Sequence, residues 1–69
     1  MSRVLLGIPG VETEEQMQEV LEALTSLEGV GEVQVQQAGQ FMVEYDPHVL
    51  TVMDLIRAVR ERGFLAGML

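Results

Sequence analysis

Arg3-Val4-Leu5-Leu6-Gly7-Ile8-Pro9-Gly10-Val11-Glu12-Thr13-Glu14-Glu15-Gln16 decides the architecture, because within this one stretch a buried-strand pattern gives way to a helix start. Arg3 to Ile8 is a short apolar run, read as a single buried strand. Pro9-Gly10 closes it by removing a backbone donor and permitting an unusual turn. Thr13, with Gln16 three residues on, fits a capping box, and Glu12, Glu14 and Glu15 suit the positive end of a helix dipole. Met17, Val20, Leu21, Leu24 and Leu27 then recur at helical spacing, with Gln18, Glu19 and Glu22 on the other side, until Gly29 and Gly31 stop the helix.

The same grammar repeats further along. Val33 and Val35 alternate with Gln34 and Gln36, which predicts a strand with one wet face, and Gln37-Ala38-Gly39-Gln40 supplies a hairpin loop. Phe41, Val43 and Tyr45 share one face of the returning strand, Met42 and Glu44 the other, and Asp46-Pro47 ends the pairing. Thr51 with Asp54 repeats the capping-box spacing ahead of Val52, Leu55, Ile56 and Val59, with Arg57, Arg60 and Arg62 outward or toward the helix's negative end. Gly63 stops this second helix, and Phe64 to Leu69 alternate as a last short strand. Strand, helix, strand, strand, helix, strand with right-handed crossovers predicts an α+β ferredoxin-like βαββαβ sandwich: a four-stranded antiparallel sheet in the order 4-1-3-2, with two helices on one face.

Composition sets the limits. The chain has 69 residues and 7.6 kDa, read as a single domain over 1–69, with an expected folded surface of roughly 4,300 Å². At 48% hydrophobic it is no disordered tail, and its apolar runs are too short to cross a bilayer. The N-terminus lacks the pattern of a secretory signal, so the cytoplasm is the expected compartment. With no Cys there is no disulfide, thiol nucleophile or thiolate ligand. Eleven acidic residues against four Arg give a net charge of -7, which repels phosphate backbones and anionic lipid and argues against nucleic-acid and membrane partners.

The residues also resemble the heavy-metal-associated domain, the fold of copper chaperones, mercury-scavenging proteins and the N-terminal modules of metal-pumping ATPases. In that family a strand runs into Gly-Met-x-Cys-x-x-Cys, a Val follows after three residues, then Ala-Leu, then Gly-Val. Here Gly10-Val11-Glu12-Thr13-Glu14-Glu15-Gln16 leads to Val20, Ala23-Leu24 and Gly29-Val30 without a gap. The family's Val-x-Tyr-Asp-Pro and closing Gly-Tyr have counterparts in Val43-Glu44-Tyr45-Asp46-Pro47 and Gly63-Phe64, with Leu55-Ile56 and Ala58-Val59 between. The resemblance implies the fold and a metallochaperone-like ancestry. It also puts Thr13 and Gln16 where the two metal-binding cysteines stand, and a hydroxyl plus a carboxamide cannot replace two thiolates for Cu(I), Hg(II) or Cd(II).

Each remaining constellation has a chemistry of its own. Glu12, Thr13, Glu14, Glu15 and Gln16 offer oxygen ligands suited to a hard cation, although acidic residues in a first helical turn equally serve the dipole. His48 should lie in solvent at the opposite end of the sandwich, about 20 Å from Thr13 across a helix of about 13 residues. Met17, Met42 and Met53 read as core filling and not as a thioether site. Val11 keeps an apolar anchor under the loop, and Phe64 should cap the core at that same end. No nucleophile and base come within reach of each other, the chain has no Asn for acylphosphatase chemistry, and no paired aromatics stand where RNA-binding sheets stack bases.

The expected function is therefore non-enzymatic and without a cofactor: a heavy-metal-associated-like module lacking the thiolate pair. It would dock to a protein partner or to a copy of itself through the Thr13 loop end or the sheet, with Val11, Glu12, Glu14, Glu15 and Phe64 as the candidate contact residues; the unpaired donors and acceptors of both sheet edges leave dimerisation open. An alternative with the same topology is an ACT-type small-molecule-sensing dimer, and a third is hard-cation binding by the loop carboxylates.

Overall fold

A computed structural model describes residues 1–37 and 39–69. The elements run β1 (Ser2–Gly7), α1 (Glu14–Thr25), β2 (Val30–Gln37), β3 (Gln40–Tyr45), α2 (Val52–Arg60) and β4 (Gly67–Met68). They form one four-stranded sheet in the order β2-β3-β1-β4, all neighbours antiparallel, which is the expected ferredoxin-like arrangement. The expected hairpin loop includes Ala38, which lies outside the described residues.

Side-chain alternation makes the two layers. Val4 and Leu6 of β1 and Phe41 and Val43 of β3 point to the helical side and are buried, with Ile8 continuing the row. Val20 and Leu24 of α1 and Leu55, Ile56 and Val59 of α2 close over them as one continuous core. The surface of 4,313 Å² matches the area expected for a compact monomer of this mass. Among the described residues no helix is long and apolar enough to cross a membrane.

Both expected capping boxes form, at Thr13 with Gln16 and at Thr51 with Asp54. Other expectations need correction. α1 ends at Thr25 with Ser26 as its C-cap, so Leu27 packs on the core from a turn and not from the helix. Gly31 lies within β2, beside an irregularity between Val30 and Val33; Gly29 alone makes the turn, at φ +99°. β4 spans Gly67–Met68 and not the whole of Phe64 to Leu69, because the chain uses Phe64 to Ala66 to return from the helical layer, where Phe64 and Ala66 pack on the core. Met53 is 56% exposed and fills no core space; it sits one position round the helix from the stripe that includes Leu55, Ile56 and Val59.

The end of the sheet near Met1 is knotted by Asp46. Its N–H donates to the Gly29 carbonyl (2.8 Å), and its own carbonyl accepts from the N–H groups of Val49 and Leu50 (3.0 and 3.1 Å). Its Oδ1 accepts from the His48 N–H (2.9 Å). The opposite end is set by the pairings Gly7–Gln40 and Gly7–Gly67, from which the β1–α1 loop departs.

Candidate functional site

Strand pairing continues one step past β1, with the Ile8 N–H donating to the Gly39 carbonyl (2.7 Å). The chain then turns at Gly10, whose φ of +88° favours glycine, and Val11 drops into the core at 8% exposure. Val11 therefore anchors the loop as the sequence suggested, and Glu12 to Glu15 are left exposed above it.

The two positions that would carry sulfur are engaged with each other. The Gln16 N–H donates to Thr13 Oγ1 (3.1 Å), while Gln16 Oε1 accepts from both the Glu12 N–H (2.7 Å) and the Thr13 N–H (3.0 Å). One carboxamide oxygen thus satisfies two loop amides, and the hydroxyl satisfies one of the free amides of the first helical turn. Both lone pairs of the Gln16 carboxamide oxygen and one of the Thr13 hydroxyl are thereby occupied. Among the described residues no three His, Cys, Asp or Glu side chains gather as a metal centre, and none of the ion pairs involves Glu12, Glu14 or Glu15.

The other candidates lie apart from this loop. His48 is exposed at the Asp46 end; since Ser2 pairs with Tyr45 and Gly7 with Gln40, the length of the sheet separates it from Thr13. Phe64 is half-buried against the core, in the segment that brings α2 back toward the loop end of β1. Met17 packs partly buried on the core, and Met42 lies on the open face of the sheet. That open face forms a shallow hollow lined by Arg3, Glu32, Gln34, Gln36, Met42 and Glu44, in which Arg3 already pairs with Glu44 at 3.5 Å.

The sequence places Arg62 outward or toward the negative end of the second helix, but the residue lies beyond α2, which ends at Arg60. Its guanidinium turns back to α1, 3.3 Å from Glu19 and 3.8 Å from Glu22, and joins the two helices near the loop end. Two acidic residues of α1's outer surface, Glu19 and Glu22, spaced at i and i+3, were the available signal, but nothing local links them to Arg62, which lies 43 positions beyond Glu19.

No protein-family model matches the chain, and no curated protein matches it in sequence. Solved structures share its backbone closely. Oxidised MerP from Ralstonia metallidurans CH34 superposes with a TM-score of 0.91 at 26% identity, over 97% of this chain and 94% of that one. The N-terminal domain of a potential copper-translocating P-type ATPase from Bacillus subtilis, in its Cu(I)-loaded state, gives 0.87 at 27% identity, over 96% and 84%. A copper-binding domain from HMA7, a P-type ATPase, gives 0.94 at 24% identity, over 100% and 95%. The chain is therefore similar along its whole length to heavy-metal-associated domains of copper chaperones and ATPase N-terminal modules, with Thr13-Glu14-Glu15-Gln16 in place of Cys-x-x-Cys.

Proposed function

We propose that this heavy-metal-associated-like domain is a non-enzymatic docking module that binds another protein through the loop end of α1 and does not carry soft metal. The observation that carries the reading is the reciprocal engagement of Thr13 and Gln16, which turns the position of a cargo site into a helix cap. A capped loop is a fixed surface, with little conformational entropy left to lose on binding.

The chemistry of the partner follows from charge. Glu12, Glu14 and Glu15 are exposed around the cap, and a chain of net charge -7 will steer a basic surface toward that end. Val11 supports the patch from below, and Phe64 belongs to the apolar rim of the same end. One of the solved neighbours is the CopZ metallochaperone, and retention of that scaffold without thiolate ligands fits a docking role.

The test is kinetic. Association with a basic protein partner should slow by at least about tenfold as salt rises from ~50 to ~500 mM, and replacing Glu12, Glu14 and Glu15 together by Gln should abolish that dependence. A rate indifferent to both changes overturns the reading, as does tight stoichiometric capture of Cu(I) or Hg(II) by the unaltered chain.

A further inference from the structure

β2 is the long free edge of the sheet. It has eight residues, it pairs only with β3 among the described residues, and it contains one charge, Glu32, with no Lys, Arg or Pro. Edge strands are usually blunted by such residues or by bulges. Here irregularities occur only toward the two ends, between Val30 and Val33 and between Val35 and Gln37, which leaves Val33-Gln34-Val35 regular and open.

The direction of each backbone group follows from one hydrogen bond at the other side of the sheet. The Leu69 N–H donates to the Leu5 carbonyl (2.9 Å), so Leu5 faces β4, and by alternation Val4 and Leu6 face β3. Val4 pairs with Val43, so Val43 faces β1 and Met42 faces β2. Met42 pairs with Gln34, so the Gln34 N–H and C=O are taken up by β3, and those of Val33 and Val35 point outward to the open edge. Their side chains lie on the helical side, Val33 half-buried and Val35 39% exposed.

We propose that this edge is a self-association strand, in which β2 pairs antiparallel with β2 of a second copy about a two-fold axis at Gln34. The pattern is self-complementary in that register. Val33 of each chain meets Val35 of the other as a fully hydrogen-bonded pair, and the two valine pairs close a small apolar seam on the helical side. On the open face Gln34 meets Gln34 across the axis, and Glu32, already accepting from the Gln34 side chain at 2.6 Å, meets Gln36 and not a second Glu. A slip of two residues either way sets a valine against Gly31 or Gln37, in the irregular stretches, and a further slip toward the N-terminal end sets Glu32 against Glu32. A slip of one residue offers bonded groups to free ones. The product is a continuous eight-stranded sheet with a closed two-fold contact. This face is separate from the loop end of α1, and the inference stands whether or not the loop docks a partner.

The experiment is sedimentation equilibrium with amide hydrogen exchange on the whole chain, from ~10 µM to ~1 mM. The dimer fraction should rise over that range. Exchange at the Val33 and Val35 amides should slow with concentration, while the Gln34 amide, already bonded to β3, stays slow throughout. Each copy has a charge of -7, so added salt should strengthen this contact, the opposite of its effect on the loop end. Gln34→Glu and Gln34→Lys, both at an exposed side chain, should each weaken self-association by about tenfold or more, and a mixture of the two should form the heterodimer. A chain that stays monomeric at ~1 mM overturns the proposal. So does a dimer that protects other amides, or one that both Gln34 variants leave unchanged with their melting temperatures intact.

Discussion

Thr13 and Gln16 each serve the other's backbone: the hydroxyl accepts from the Gln16 N–H at 3.1 Å, and the carboxamide oxygen accepts from the Thr13 N–H at 3.0 Å. Removing the first half of this exchange with Thr13→Ala should cost about 1 kcal/mol of folding stability, the usual value of an N-cap. Gln16→Ala should cost less, because the Glu12 and Thr13 amides it abandons are open to water. Urea unfolding of the two variants checks both the size and the order.

The same two positions should convert the chain into a metal carrier. Thr13→Cys combined with Gln16→Cys should bind one Cu(I) or Hg(II) per chain, where the unaltered chain binds neither, since the paired thiolates supply the donors soft ions need. The double variant should also lose about 1 kcal/mol of stability in its metal-free form, with the cap gone. Metal titration and apo-form melting report the two effects separately. A double variant that folds and still ignores both ions would show that the loop's shape, and not its ligand set, differs from the carriers.

Two glycines with positive φ should respond differently to alanine. At Gly29 a methyl would stand 2.5 Å from Leu50 Cδ2 and 2.8 Å from Val49 Cβ, while at Gly10 it would meet nothing within 4 Å. Gly10→Ala should therefore cost only the left-handed backbone penalty, about 1 kcal/mol, and Gly29→Ala clearly more, because the core residue Leu50 must move as well. Equal losses in denaturant unfolding would contradict the close approach at Gly29.

Acid should act on the second helix cap. The Thr51 backbone N–H hydrogen bond is the main cause that holds the Asp54 carboxyl below the usual carboxylate range; desolvation opposes it, and the Thr51 hydroxyl and the nearby Arg57 guanidinium add to the lowering. The folded form thus takes up this proton less readily than the unfolded form. The contribution is complete above the ordinary aspartate value of about 4 and is lost as pH falls through the lower folded value. The melting-temperature gap between the unaltered chain and Asp54→Asn should be constant near neutral pH and shrink below pH ~4.

Legibility in the sequence followed the range of the interactions. The cap pairs Thr13–Gln16 and Thr51–Asp54 are three residues apart, so spacing alone revealed them, and strand alternation revealed which of Phe41, Met42, Val43 and Glu44 face the core. The short β4 was overestimated because Phe64 to Leu69 alternate regardless of what they pair with; the route back from the helical layer consumes half of them. Met53 reads as core by apolar character alone, but it sits one position off the stripe of Val52, Leu55, Ile56 and Val59 and is exposed. The Arg62 link to Glu19 and Glu22, and the outward amides of Val33 and Val35, depend on assembled strands and helices. Such relationships have no short-range signature.

Asp46 gathers the turn after α1, the end of β3 and the approach to α2 into one hydrogen-bonded junction, a sheet's length from the capped loop. The two poles of the molecule are therefore built from separate local codes. Substitutions at residues 12 to 16 act on the cap and charge of α1, while the far pole keeps dictating how the helices are laid on the sheet. The end that differs from the metal carriers is thus uncoupled from the end that sets the layers.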